Sequence, residues 1–87
     1  MSNLTLARYH RFLYIKSFEE LEFAVFCIEN SAIELGVSAT RVYDAWTRKS
    51  NLLNRYVIPC FPALHTQGKG YIIDELLRIT QEEGIEI

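Results

Sequence analysis

Between Ser17 and Gly36 the apolar residues Leu21, Val25, Ile28, Ala32 and Leu35 recur at steps of three and four. That spacing marks one face of an α-helix. Phe18 and Ala24 widen the stripe, and Phe23 and Phe26 lie off it, so the segment is apolar over much of its circumference and reads as a central helix. Ser17 stands at the N-cap with Glu20 three residues on, the two members of a capping box. The glutamates of the first turn complement the positive end of the helix dipole. Gly36 ends the helix, because glycine accepts positive φ at little cost.

A second helix is expected over 38–50, capped by Ser38, with Val42, Ala45, Trp46 and Lys49 on one face and Tyr43 beside it. Ser50 and Asn51 mark a break. A short third helix over 51–58 turns Leu52, Leu53, Tyr56 and Val57 inward. Pro59 and Pro62 punctuate the next stretch, since each lacks an amide donor and restricts the residue before it. The last helix runs over 70–84, with Ile72, Ile73, Leu76, Leu77 and Ile79 as its apolar face and Gly84 as its end. Gly68 and Gly70 are read as the tight bend into it. In the first sixteen residues Leu6, Tyr9 and Leu13 fit a helical stripe, whereas "FLYI" also suits a strand; helix is the favoured reading. No hairpin signal occurs. The expected fold is all-α, a compact single domain of four or five short helices covering 1–87.

Composition supports a self-sufficient core. The chain has 87 residues, 49% hydrophobic and 13% aromatic. A chain of this size buries roughly 60–65% of its unfolded surface, enough for modest stability. The two cysteines, Cys27 and Cys60, are too few for a disulfide scaffold, and Cys27 lies in an apolar run that suits a buried free thiol. No stretch approaches the length of a membrane span and the N-terminus has no signal-peptide pattern, so a cytoplasmic protein is expected.

Charge alternates in blocks. Residues 1–16 form a basic extension with Arg8, Arg11 and Lys16; 17–35 carry five glutamates and no base; 36–58 are basic again; the remainder is acidic. Such blocks suit pairing between neighbouring helices or a partner surface of mixed sign. The net charge of −2 argues against a binder that relies on phosphate neutralisation, so nucleic acid is not the expected partner.

Three motifs bear on chemistry. "AIELGVSATRV" has the small residue, turn glycine and β-branched residue of a helix-turn-helix corner: Ala32, Gly36 and Val42. A DNA-binding regulator would use the following helix, with Thr40, Arg41 and Arg48. This is the alternative reading, because any helix–glycine–helix corner has the same three residues and the acidic neighbours repel phosphate. His65 in "LHTQG" is of the residue type that most often serves as a general base, but no activated nucleophile accompanies it. The simpler reading has His65 and Thr66 bonding backbone ends near a helix start. "QGKGY" lacks the spacing of a phosphate loop and has Tyr71 where Ser or Thr is required. Two distant histidines offer no metal-ligand spacing. No catalytic residue, metal or cofactor is expected.

The stretches "LEFAVFCIENSAIELGVSATRVYDAW" and "LLNRYVIPCFPALHTQGKGYIIDEL" resemble the small bacterial family catalogued as domain of unknown function 3791. Its Phe-Val/Ala-Val-Phe-like helix corresponds to residues 23–28. Its Leu-His-Thr-x-Gly piece, the most specific part, corresponds to 64–68, and its terminal helix begins at Tyr71. The family-like core is 17–80. The resemblance implies a mostly helical domain without established enzymatic activity, often encoded beside proteins resembling ADP-ribosyltransferases in arrangements like toxin–antitoxin pairs. The resulting expectation is a protein-interaction module, an antitoxin-like partner of a toxin-like enzyme encoded in the same operon, with His65, Thr66, Gln67, Lys69 and Tyr71 as contact residues. Surplus aromatic surface also suits a homodimer.

Overall fold

The computed structural model describes residues 17–87. The expected helical stripe of the basic N-terminal extension lies outside the described residues. Five helices follow one another, α1 (Phe18–Leu35), α2 (Ala39–Thr47), α3 (Leu53–Val57), α4 (Phe61–Leu64) and α5 (Lys69–Glu82), with no strand among the described residues. The fold is all-α.

The ends of α1 follow the local chemistry. Ser17 Oγ accepts the Glu20 N–H at 3.2 Å, a cap that contributes about 1 kcal/mol. Gly36 adopts φ 69°; its N–H donates to the Ile33 carbonyl, and the Val37 N–H donates to that of Ala32. Both bonds satisfy carbonyls that the ending helix leaves without partners. Two residues later Ser38 Oγ accepts the Arg41 N–H and starts α2. Helix α2 stops at Thr47, short of the expected Ser50. Ser50 Oγ donates to the Ala45 carbonyl and accepts the Leu52 N–H, drawing the backbone out of the helix. Asn51 then takes φ 57°, a left-handed conformation that asparagine tolerates better than most residues.

The third helix is π-helical: the Ile58 N–H bonds the Leu53 carbonyl five residues back. The wider turn brings residues five apart onto one side. Leu52, Leu53, Val57 and Ile58 are all buried, and Tyr56, expected inward, is left half-buried at the edge. In α4, Pro62 sits in the first turn, where a missing N–H costs nothing.

The glycines before α5 behave differently from expectation. Neither Gly68 nor Gly70 uses positive φ; among the described glycines only Gly36 and Gly84 do. The turn is made by Thr66 Oγ1 donating to the Ala63 carbonyl and by the Gln67 N–H donating to that of Leu64. Gly70 lies in the first turn of α5, where a Cβ would meet nothing within 4 Å. Relative to alanine it costs the helix about 0.5–1 kcal/mol.

Helix α1 packs on α2 and α5, and α3 closes the end beside α2. Val25 and Ile28 of α1, Val42 and Trp46 of α2, Leu53 and Val57 of α3 and Leu76 of α5 are completely buried together. Trp46 is the largest of the fully buried side chains. Its Nε1–H donates to Thr80 Oγ1 at 3.0 Å, and that hydroxyl donates to the Leu76 carbonyl at 2.7 Å. The buried indole N–H is thereby satisfied.

Two members of the expected α1 stripe fall outside this core. Phe18 is 58% and Leu35 42% exposed, at the two ends of a helix that outruns its neighbours. Phe23, expected off the stripe, is buried because Phe61 of α4 covers it. Lys49, expected on the buried face of α2, is exposed beyond its end.

Ser31 is fully buried on α1, and its hydroxyl bonds no described residue. An unsatisfied buried hydroxyl is a standing cost. Ser31→Ala is expected to stabilise the protein by about 1 kcal/mol, from removal of that penalty and better helix propensity. The urea midpoint checks it; an unchanged or lower midpoint contradicts the reading.

Candidate functional site

The expected contact residues His65, Thr66, Gln67, Lys69 and Tyr71 occupy the α4–α5 connection and the first turn of α5, and all five are exposed. His65 follows α4 directly. Its imidazole stacks on Phe61, with ring centroids 4.6 Å apart and 27° between planes. Phe61 tilts against Phe23 at 5.2 Å, and Phe23 stacks with Phe26 at 6.4 Å. A line of rings therefore runs from α1 to the surface and ends in a histidine. The expected bond from His65 to a backbone end is not made: no hydrogen bond joins the imidazole to a described residue, and the ring is held by stacking instead. Thr66 does bond the backbone, as expected.

Lys69 and Tyr71 part company. Tyr71 is 57% exposed and lies, with Cys60, Glu75 and Arg78, within electrostatic reach of Tyr56 on α3. Burial, then the Cys60 thiol and the Glu75 carboxylate, raise the Tyr56 phenol above its ordinary range, with Arg78 opposing. Tyr56 thus remains a neutral hydroxyl at neutral pH. Arg78 is gripped by two carboxylates on its own helix: Glu75, three residues before it, and Glu82, four after, with Nη1 at 2.8 Å from both Glu82 oxygens. Hydrogen bonds to Glu75 and then to Glu82 raise the guanidinium above its usual value, so it stays charged.

Tyr56 thus has Cys60, Tyr71 and Arg78 within electrostatic reach, and Phe61 and His65 stack as a pair just after Cys60 in the chain. Sequence reasoning did not name Phe61, Cys60, Tyr56 or Arg78 as contact residues. One signal was present: Tyr71, Glu75 and Arg78 stand at i, i+4 and i+7, a single face of α5. Rings with polar tips beside a guanidinium are the chemistry that dominates protein–protein contacts.

Lys69 projects to the other flank of α5. With Asn30, Ile33, Glu34, Gly70, Ile73 and Asp74 it lines a separate pocket of about 180 Å³ between α1 and α5.

The residues of the alternative DNA reading lie on α2. Thr40 is half-buried and Arg41 and Arg48 are exposed. Arg41 Nη2 donates to the Ile87 backbone oxygen at 2.8 Å, and Arg48 Nε lies 3.8 Å from Asp44. Lys49 Nζ donates to the Glu86 carbonyl, and Arg55 pairs with Glu83. The acidic segment 83–87 thus lies along the basic side chains of α2 and α3. Of the expected pairing between elements, the Arg55–Glu83 bridge is present among the described residues. Glu19, Glu22, Glu29 and Glu34 of α1 make no ion pair with a described residue.

Both cysteines are free thiols. Cys27 is completely buried, and burial pushes its thiol well above the usual range; Cys60 is partly accessible. A maleimide is expected to label Cys60 in the native protein and spare Cys27 until denaturant is added, because only an accessible thiolate reacts. Peptide mapping reads this directly, and native labelling of Cys27 contradicts the packing of α1. No group of three or more His, Cys, Asp or Glu among the described residues is arranged to hold a metal. No described helix is long and apolar enough to cross a membrane.

Fold and surface together describe a small all-α domain with an aromatic patch around its α4–α5 corner. The chain belongs to the family described as protein of unknown function (DUF3791), whose model matches residues 22–83. The comparisons with curated proteins and with solved structures give no match.

Proposed function

We propose that the chain is a protein-interaction module that presents the α4–α5 corner to a partner protein. The observation that carries this reading is Tyr71, a large aromatic standing 57% exposed on the same face of α5 as Arg78, which Glu75 and Glu82 hold. Tyrosine and arginine are the residue types that most often anchor an interface. The two carboxylate contacts of Arg78 restrict part of the rotamer freedom that binding would otherwise remove.

In its specific form the proposal is an antitoxin-like role: the module occludes or holds a toxin-like enzyme encoded beside it in a bacterial operon. This form draws on the family resemblance and its gene neighbourhoods. A tagged protein, purified from its native host with associated proteins identified by mass spectrometry, tests it. Stoichiometric recovery of a neighbour-encoded enzyme, lost on Tyr71→Ala, supports the reading. Recovery of the protein alone, or of DNA with it, opposes it.

A further inference from the structure

We propose that the chain forms a two-fold dimer through the cleft between α1 and α5, with Ile33 of each copy entering the pocket of the other. This surface lies on the flank of α5 opposite Tyr71 and is separate from the patch assigned to a partner protein.

Three observations point to a second copy as the occupant. The first is that a projection and a hollow lie side by side. Ile33 is 77% exposed although it sits within a helix, the most exposed large apolar side chain among the described residues. It stands on the rim of the pocket of about 180 Å³, next to Ile73 and Gly70. A two-fold interface uses the same patch on both subunits, so it requires both shapes in one patch.

The second observation concerns charge. The rim holds Lys69 on α5 and Glu34 on α1, with Asp74 further along α5, and none of the three forms an ion pair with a described residue. A two-fold rotation about the pocket brings Lys69 of one copy to Glu34 of the other, twice. A partner carrying a single sign of charge would satisfy only part of this rim; a second copy offers a base to Glu34 and an acid to Lys69 together, and leaves Asp74 to solvent.

The third is Gly70. Its backbone is helical, its φ is not positive, and a Cβ there would meet nothing within 4 Å. The folded chain therefore has no use for glycine at a position where it weakens the helix. A close approach by another molecule supplies the use, because a missing Cβ keeps the pocket open.

Sedimentation velocity across a concentration series tests the proposal, with the thermal midpoint measured in parallel. The wild-type protein is expected to show a concentration-dependent dimer. Ile33→Gln keeps the helix and the fold, since the side chain lies in solvent, and is expected to raise the dimer dissociation constant roughly tenfold or more. Gly70→Ala is expected to raise the thermal midpoint of the monomer and weaken the dimer, two opposite movements that a purely structural glycine would not produce. Lys69→Glu is expected to weaken association, and adding Glu34→Lys to recover it. A wild-type protein that stays monomeric at millimolar concentration overturns the proposal, as does a dimer unmoved by Ile33→Gln. Tyr71→Ala leaves the dimer intact, so loss of a partner protein and loss of the dimer are read separately.

Discussion

Trp46→Ala is expected to leave the chain largely unfolded at room temperature. The side chain is completely buried where α2 meets α5. Truncating a buried tryptophan costs about 3–5 kcal/mol, from lost transfer energy and the cavity left behind. A small domain commonly has a total stability of about 5 kcal/mol, so little or none would remain. The hydroxyl of Thr80 separates the two contributions. Thr80→Val keeps the shape of the side chain but leaves the indole N–H buried without an acceptor, at a cost of about 1–3 kcal/mol. Far-ultraviolet circular dichroism with urea titration ranks the variants: wild type, then Thr80→Val, then Trp46→Ala. If Thr80→Val matches the wild type, the indole–hydroxyl bond contributes nothing and the linkage between α2 and α5 rests on apolar packing alone.

That linkage shows where sequence reading loses its reach. Ser17, Gly36 and Ser38 announced the ends of α1 and α2 because a cap is a contact between residues three or four apart, and its chemistry is written in adjacent letters. The apolar stripes of α1, α2 and α5 were legible for the same reason. Trp46 and Thr80 lie 34 residues apart, and nothing local to either names the other. The π-turn escaped because it depends on residues five apart sharing a side, a spacing that helical templates do not contain. Gly68 and Gly70 were misread because glycine is ambiguous: it permits unusual backbone, or it merely omits a side chain, and only the dihedral angles distinguish the two.

The proposed contact surface was legible in part for a related reason. The stretch from His65 to Tyr71 stood out as a turn and helix start with residues suited to a recognition edge. Its division into two flanks did not, because that depends on where α5 begins and which side meets α1. With the helix starting at Lys69, Tyr71 falls within electrostatic reach of Tyr56, whereas Lys69 falls beside Ile33 and Glu34. Phe61 was hidden between two prolines, in a stretch with no periodicity from which to read its direction. Its contacts with Phe23 and His65 make it the support of the patch.

The two flanks should answer differently to substitution. Once the partner protein is in hand, Tyr71→Ala is expected to weaken binding by about 2 kcal/mol or more, roughly thirtyfold in dissociation constant. The same change is expected to move the thermal midpoint little, because most of the ring lies in solvent. Arg78→Gln should also weaken binding, and more at low salt than at high, because a surface charge acts over distances that salt screens. Lys69→Gln is the internal control: it removes a charge two residues from Tyr71, but on the other flank of the helix, and should leave the partner's affinity unchanged. Titration calorimetry at two salt concentrations measures all three. Equal losses from Tyr71→Ala and Lys69→Gln would mean that the partner grips the N-terminal turn of α5 from both sides, and the aromatic patch would then no longer be the binding surface.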